Sequence, residues 1–106
     1  MFEALRRTTS DMIKVKAQIT LYKTVNGRKT SFDSNYRPLF NFIPEMKTSG
    51  QITLLDRQEF SPGDEAIVEI AFLNEEYLGD NFGVGARFTF GEGLAAIGEG
   101  EVKEIL

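Results

Sequence analysis

The sequence has no cysteine and no histidine among its 106 residues. Without cysteine there is no disulfide, no thiolate metal site and no thiol nucleophile, which is compatible with a reducing compartment. Without histidine there is no Ser–His or Cys–His pair. The commonest zinc ligand is also missing, and no unperturbed side chain titrates near neutrality. Catalysis would have to rest on carboxylates, lysine or tyrosine, so the chain reads as a non-enzyme with no metal and no cofactor. The two arginines near the start are not followed by an apolar run of about 7–15 residues, so no secretory signal is visible. No stretch approaches the ~18 apolar residues of a transmembrane helix. A soluble cytoplasmic protein without membrane contact is the expectation.

The length fits one domain, able to bury roughly two-thirds of the surface its unfolded chain exposes. Hydrophobic residues at 42% and charged residues at 26% match ordinary globular usage and argue against disorder. The net charge of −4 is unevenly spread. Residues 1–37 hold eight basic and three acidic side chains, net +5, and residues 38–106 hold four basic and thirteen acidic, net −9. Such asymmetry marks either an electrostatic face or two halves that interleave in the fold.

Residues 1–11 are weakly patterned, with Phe2 and Leu5 spaced for one helical turn, and read as an N-terminal arm. Met12 offers an alternative start. In residues 12–23, Ile13, Val15, Ala17, Ile19 and Leu21 alternate with polar neighbours, the period of a half-buried strand. Val25-Asn26-Gly27 reads as a turn and residues 30–35 as loop. Pro38 suits a strand start, Phe40 and Phe42 share a face, and Pro44 ends that strand. Thr48-Ser49-Gly50 reads as a turn before a short strand at 51–55. Residues 56–64 read as a charged loop closing on Pro62-Gly63, the pair of a type II turn. In residues 65–73, Ala66, Val68, Ile70 and Phe72 make one apolar face. Ile67, Ala71 and Leu73 make a second, which suits cover by the arm or a partner. Residues 74–83 read as loop, and strands are expected at 84–90 and 94–105. Gly98 and Gly100 mark a bend or a close backbone approach. The fold class is all-β: about six short strands in an antiparallel barrel over residues 12–106.

Few motifs carry chemistry. Gly91-Glu92-Gly93 and Gly83-Val84-Gly85 lack the following helix of a phosphate cradle and read as turns. Glu99 and Glu101 share a strand face, without a third ligand for a metal or a tuned partner for acid–base work. Arg28, Lys29 and Arg37, with Phe32 and Tyr36 beside them, form the best local binding candidate. The cations suit phosphates and the tyrosine suits stacking.

The stretch Gly27-Arg28-Lys29-Thr30-Ser31-Phe32, then Tyr36-Arg37-Pro38-Leu39-Phe40-Asn41-Phe42, resembles the C-terminal barrel domain of elongation factor Tu. That family carries Gly-Arg-His-Thr-Pro-Phe and, after a short gap, Tyr-Arg-Pro-Gln-Phe-Tyr-Phe. Further matches follow in order at Thr48 to Gly50, Pro62-Gly63-Asp64, Arg87-Phe88, Glu92-Gly93 and Ile97-Gly98 before Gly100, so the resemblance spans about residues 12–106. It implies a six-stranded antiparallel Greek-key barrel that does no chemistry and binds no nucleotide, standing here without a GTPase domain. In the family this domain contacts protein partners and the T stem of aminoacyl-tRNA. The resemblance implies partner- or RNA-binding roles for Arg28, Lys29, Thr30, Arg37, Thr48 or Ser49, Glu92 and Gly93. Leu39 departs from the family's glutamine, and Gly91 and Ala95 stand where the family has arginines, which removes charge for phosphate. Two functions follow as expectations. The first is a binding module for a protein partner or a second copy. The second is translation-related RNA binding, tRNA included, through the face of Arg28, Lys29 and Glu92.

Overall fold

The computed structural model describes residues 12–23, 31–43, 46–73, 75–93 and 95–106. Six of its strands close into an antiparallel barrel. Their order is β1 (Ile13–Leu21), β6 (Glu65–Phe72), β4 (Met46–Leu54), β3 (Leu39–Ile43), β7 (Arg87–Gly91) and β8 (Ala96–Ile105), and β8 pairs back onto β1. β3, β4 and β6 run as a meander and β1 lies beside β6, which is Greek-key connectivity. The connections that leave β1 and β4 meet in a separate ribbon of β2 (Phe32–Asp33) with β5 (Glu59–Phe60). Among the described residues, no helix is long and apolar enough to cross a membrane. The arm at 1–11, the turn at 25–27 and Pro44 lie outside the described residues.

Alternation builds the interior. Val15, Ala17, Ile19 and Leu21 of β1 and Val68, Ile70 and Phe72 of β6 point inward and are buried, as period two requires. Rings fill the rest by a repeated device. Phe72 lies opposite Gly50, Phe90 opposite Gly98 and Phe88 opposite Gly100. In each pair the ring occupies the space a Cβ on the glycine would need. The ideal Cβ would sit 2.9 Å from Phe72 at Gly50, 2.4 Å from Phe90 at Gly98 and 2.6 Å from Phe88 at Gly100. A glycine on one strand thus lets a ring from the next lie flat across it. Phe40 joins these rings, with centroids 5.0 Å from Phe72, 5.6 Å from Phe88 and 5.8 Å from Phe90.

This device corrects one sequence expectation. Thr48-Ser49-Gly50 is the middle of β4 and not a turn: Thr48 pairs with Phe40, Ser49 with Leu39 and Gly50 with Phe72. Gly50 is there because Phe40 and Phe72 crowd the inner side of that position. The loops expected at 30–35 and 56–64 also differ, because each contributes two residues to the ribbon. It is held by Phe32 stacked on Phe60 at 5.3 Å and by the Ser31–Ser61 hydroxyl contact at 3.2 Å. Arg57 secures the second connection. It meets Asp56 at 2.7 Å and Asp64 at 3.4 Å and lies 5.4 Å from the Phe60 ring centre. Its hydrogen bond holds the Asp56 carboxyl below the usual carboxylate range. The loop expected at 74–83 contains a 3-10 turn, Glu75–Leu78, whose buried Leu78 packs into the core. β7 starts only at Arg87, after a turn in which Gly85 takes φ +94°. The Pro62-Gly63 turn is present, with Gly63 at φ +93° donating to Leu21 O at 2.7 Å.

The basic and acidic halves interleave. β1 lies between two strands of the acidic half, and Lys16 faces Glu69 on one side and Glu104 on the other.

Thr48 is 2% exposed, and its hydroxyl has no hydrogen-bond partner among the described residues. An unsatisfied buried hydroxyl costs about 1–3 kcal/mol. Thr48→Val keeps the branched shape and should raise stability by roughly 1 kcal/mol in urea unfolding. A loss of stability would show that the hydroxyl is satisfied after all.

Candidate partner-binding face

Of the residues singled out in the sequence, Arg28, Lys29 and Thr30 lie outside the described residues. The structure brings Arg37, Glu92 and Gly93 together around the exposed start of β3. Asn35 turns the chain at φ +79°, a conformation asparagine tolerates better than most residues. Ser34 Oγ accepts from Leu54 N at 2.9 Å, and Tyr36 stacks back on Phe32 with centroids 4.5 Å apart. Tyr36 pairs with Ile52 of β4, so Arg37 leaves beside that strand. Its Nε donates to Gln51 Oε1 at 3.0 Å, and Gln51 Nε2 donates to Asn35 Oδ1 at 2.8 Å. The Tyr36 hydroxyl donates to the Glu92 carboxylate. Lys47 Nζ donates to Gly93 O at 2.8 Å. Thr48 points into the barrel, so Ser49 is the hydroxyl of that pair on the outer side.

Leu39 stands at the centre of these groups, 38% exposed, between Ser49 of β4 and Gly91 of β7. A dimple of about 60 Å³ opens beside it, lined by Lys47, Gly91, Gly93 and Ala96 among others. Pairing of β4, β6 and β1 carries the surface onward. Phe72 pairs with both Gly50 and Ile13, which sets the next residue, Leu73, between Ser49 and Met12 on the outer side. Leu73 is 50% and Met12 47% exposed. One outer row therefore reads Leu39, Ser49, Leu73, Met12. The row below reads Arg37, Gln51, Ala71, Lys14, from the Arg37–Gln51 bond and the Gln51–Ala71 and Ala71–Lys14 pairs. Neither row holds a carboxylate. Two sequence signals reach this surface: the basic cluster, through Arg37, and the second apolar face of residues 65–73, through Leu73. Met12, Lys14 and Lys47 gave no sign of their own.

A wider concavity, about 580 Å³, lies elsewhere, over β1, β3, β7 and β8. Its three carboxylates are each engaged: Glu65 by Gln18 at 2.7 Å, Glu99 by the Tyr22 hydroxyl at 2.9 Å, and Glu101 by Arg87 at 3.7 Å. Burial first, then the bond to Glu99, pushes the Tyr22 phenol above its usual range. Among the described residues, no group of three acidic, histidine or cysteine side chains is placed to hold a metal.

No protein-family model matches the chain.

Proposed function

We propose that this barrel is a non-catalytic binding module that recognises a protein partner through the outer row of Leu39, Leu73 and Met12 and the row beside it. The observation that carries this reading is the outer row in which the exposed aliphatic side chains of Leu39, Leu73 and Met12 lie together with only Ser49 between them. Large apolar side chains gathered on one face and rimmed by polar groups mark interaction surfaces. The likeness to the C-terminal domain of elongation factor Tu points the same way, because that domain docks to proteins without doing chemistry. It also supplies the second reading, tRNA contact, which the cations of the second row suit but for which the aliphatic row offers no ring on which a base can stack.

The test compares the parent protein with Leu39→Asp/Leu73→Asp, both changes on exposed positions, in quantitative affinity capture from cell extract. Partners of this face should fall by at least about tenfold with the double variant, the loss expected when charge is forced into an apolar contact. Equal recovery by both proteins would sink the assignment of the face. Retention of tRNA alone, lost at raised salt, would favour the RNA reading.

A further inference from the structure

The cations on this face point to the chemistry of its partner. Elsewhere among the described residues, Arg57 meets Asp56 and Asp64, Arg87 and Lys103 both meet Glu101, Lys16 lies in register between Glu69 and Glu104, and Lys23 forms no ion pair. On the face, no described basic side chain meets a carboxylate. Among the described residues, Arg37 bonds the neutral Gln51, Lys47 bonds a backbone carbonyl, and Lys14 forms no ion pair. This occurs in a chain with sixteen acidic residues and a net charge of −4. The row of Arg37 and Lys14, beside the row of exposed leucines, therefore carries positive charge with no carboxylate among its members.

We infer that the occupant of this face is an extended acidic segment of a partner protein, with apolar residues between its carboxylates. This rests on the reading of the barrel as a protein-binding module. The spacing supports it. Arg37 lies two residues before β3 and Lys14 on β1, three strand positions apart along the curved barrel wall, roughly 14 Å at ~4.8 Å per strand. An extended chain advances ~3.4 Å per residue, so side chains at i and i+4 are separated by about the same distance and lie on one side with i+2. Carboxylates at i and i+4 meet Arg37 and Lys14, and an apolar residue at i+2 rests against the row of Leu39 and Leu73. The dimple beside Leu39 gives a further carboxylate access to Lys47. Gln51 and Ala71, the two residues between Arg37 and Lys14 in their row, are both neutral.

Other occupants fit less well. A second copy carries the same −4 charge, and the carboxylates of its acidic concavity are already engaged. Residues 1–11 hold two acidic and two basic side chains, so they bring no net negative charge to the rim. RNA would satisfy the cations but would place its backbone against aliphatic groups.

The test uses the full chain and a labelled synthetic peptide of repeating Glu-Ser-Leu-Ser, read by fluorescence anisotropy. Repeating Lys-Ser-Leu-Ser and a single-stranded RNA of equal charge are the comparisons. The acidic peptide should bind about tenfold tighter than its lysine counterpart. Its binding should weaken as salt rises, and it should weaken about tenfold on Lys14→Glu/Arg37→Glu. Both substitutions are on the surface, and the salt series on the parent protein keeps the test open if the double variant does not fold. Equal binding of both peptides, no binding of the acidic one, or competition by RNA alone would overturn the inference. Failure of the wider reading is equal recovery with and without Leu39→Asp/Leu73→Asp, whereas failure of this inference alone looks different. A captured partner that is lost with Leu39→Asp/Leu73→Asp but kept with Lys14→Glu/Arg37→Glu would leave the face standing and remove its acidic partner.

Discussion

Gly98→Ala is expected to lower the unfolding free energy by about 3 kcal/mol, the upper end of what overpacking costs. The added Cβ would meet Phe90 Cζ at 2.4 Å and Thr20 O at 2.5 Å. The first of these can yield by a ring movement. The second is backbone of β1, paired to β8 on the other side, so β1 and β8 would have to part where the barrel closes. Urea unfolding of the parent and the variant measures the loss. A change below about 0.5 kcal/mol, the ordinary size for an uninvolved surface site, would refute the account. A double-mutant cycle separates its two parts. Phe90→Leu in the Gly98→Ala background should recover some stability, because the ring no longer competes for the space. It should not recover all of it, because Thr20 O remains.

Phe40→Ala should cost about 4 kcal/mol, within the range for a large buried ring truncated to alanine. Phe40 is fully buried and touches Phe72, Phe88 and Phe90, each of which lies over a glycine. No neighbouring Cβ can move in to fill the hole at Gly50, Gly98 or Gly100, so the cavity should persist. A domain of this size has only about 5–15 kcal/mol of stability in total. The variant should therefore unfold at much lower urea and lose near-ultraviolet ellipticity from its aromatic cluster well before the parent does. A cost under about 1 kcal/mol would mean that the rings repack around the gap.

The elements that could be read in the chain were those with local alternation. β1 and β6 each display period two over eight or nine residues, and their inward sets are the buried ones. β4 was divided because its centre, Thr48-Ser49-Gly50, has turn composition. The reason for that composition is two rings on other strands, which no local window contains. The β2–β5 ribbon was missed for a related reason. Two-residue strands have no period, and the pairing depends on Phe32 stacking on Phe60 across 28 positions. The face shows the same division. Arg37, Glu92 and Gly93 were reached through a family pattern, and Leu73 through the apolar second side of its strand. Lys14, Lys47 and Met12 join them only through the strand order, which sets β1 beside β6, β6 beside β4 and β4 beside β3.

Closure also constrains how any partner can be recognised. Each of the six barrel strands has a hydrogen-bonded neighbour on both sides, so the barrel presents no open edge to which a foreign strand could add. Main-chain pairing, which is tolerant of sequence, is thereby excluded along the barrel wall, and discrimination passes entirely to outward side chains. Those side chains are exposed and contribute little to the core. Specificity can therefore be rewritten one residue at a time on this surface while the ring-over-glycine interior stays as it is.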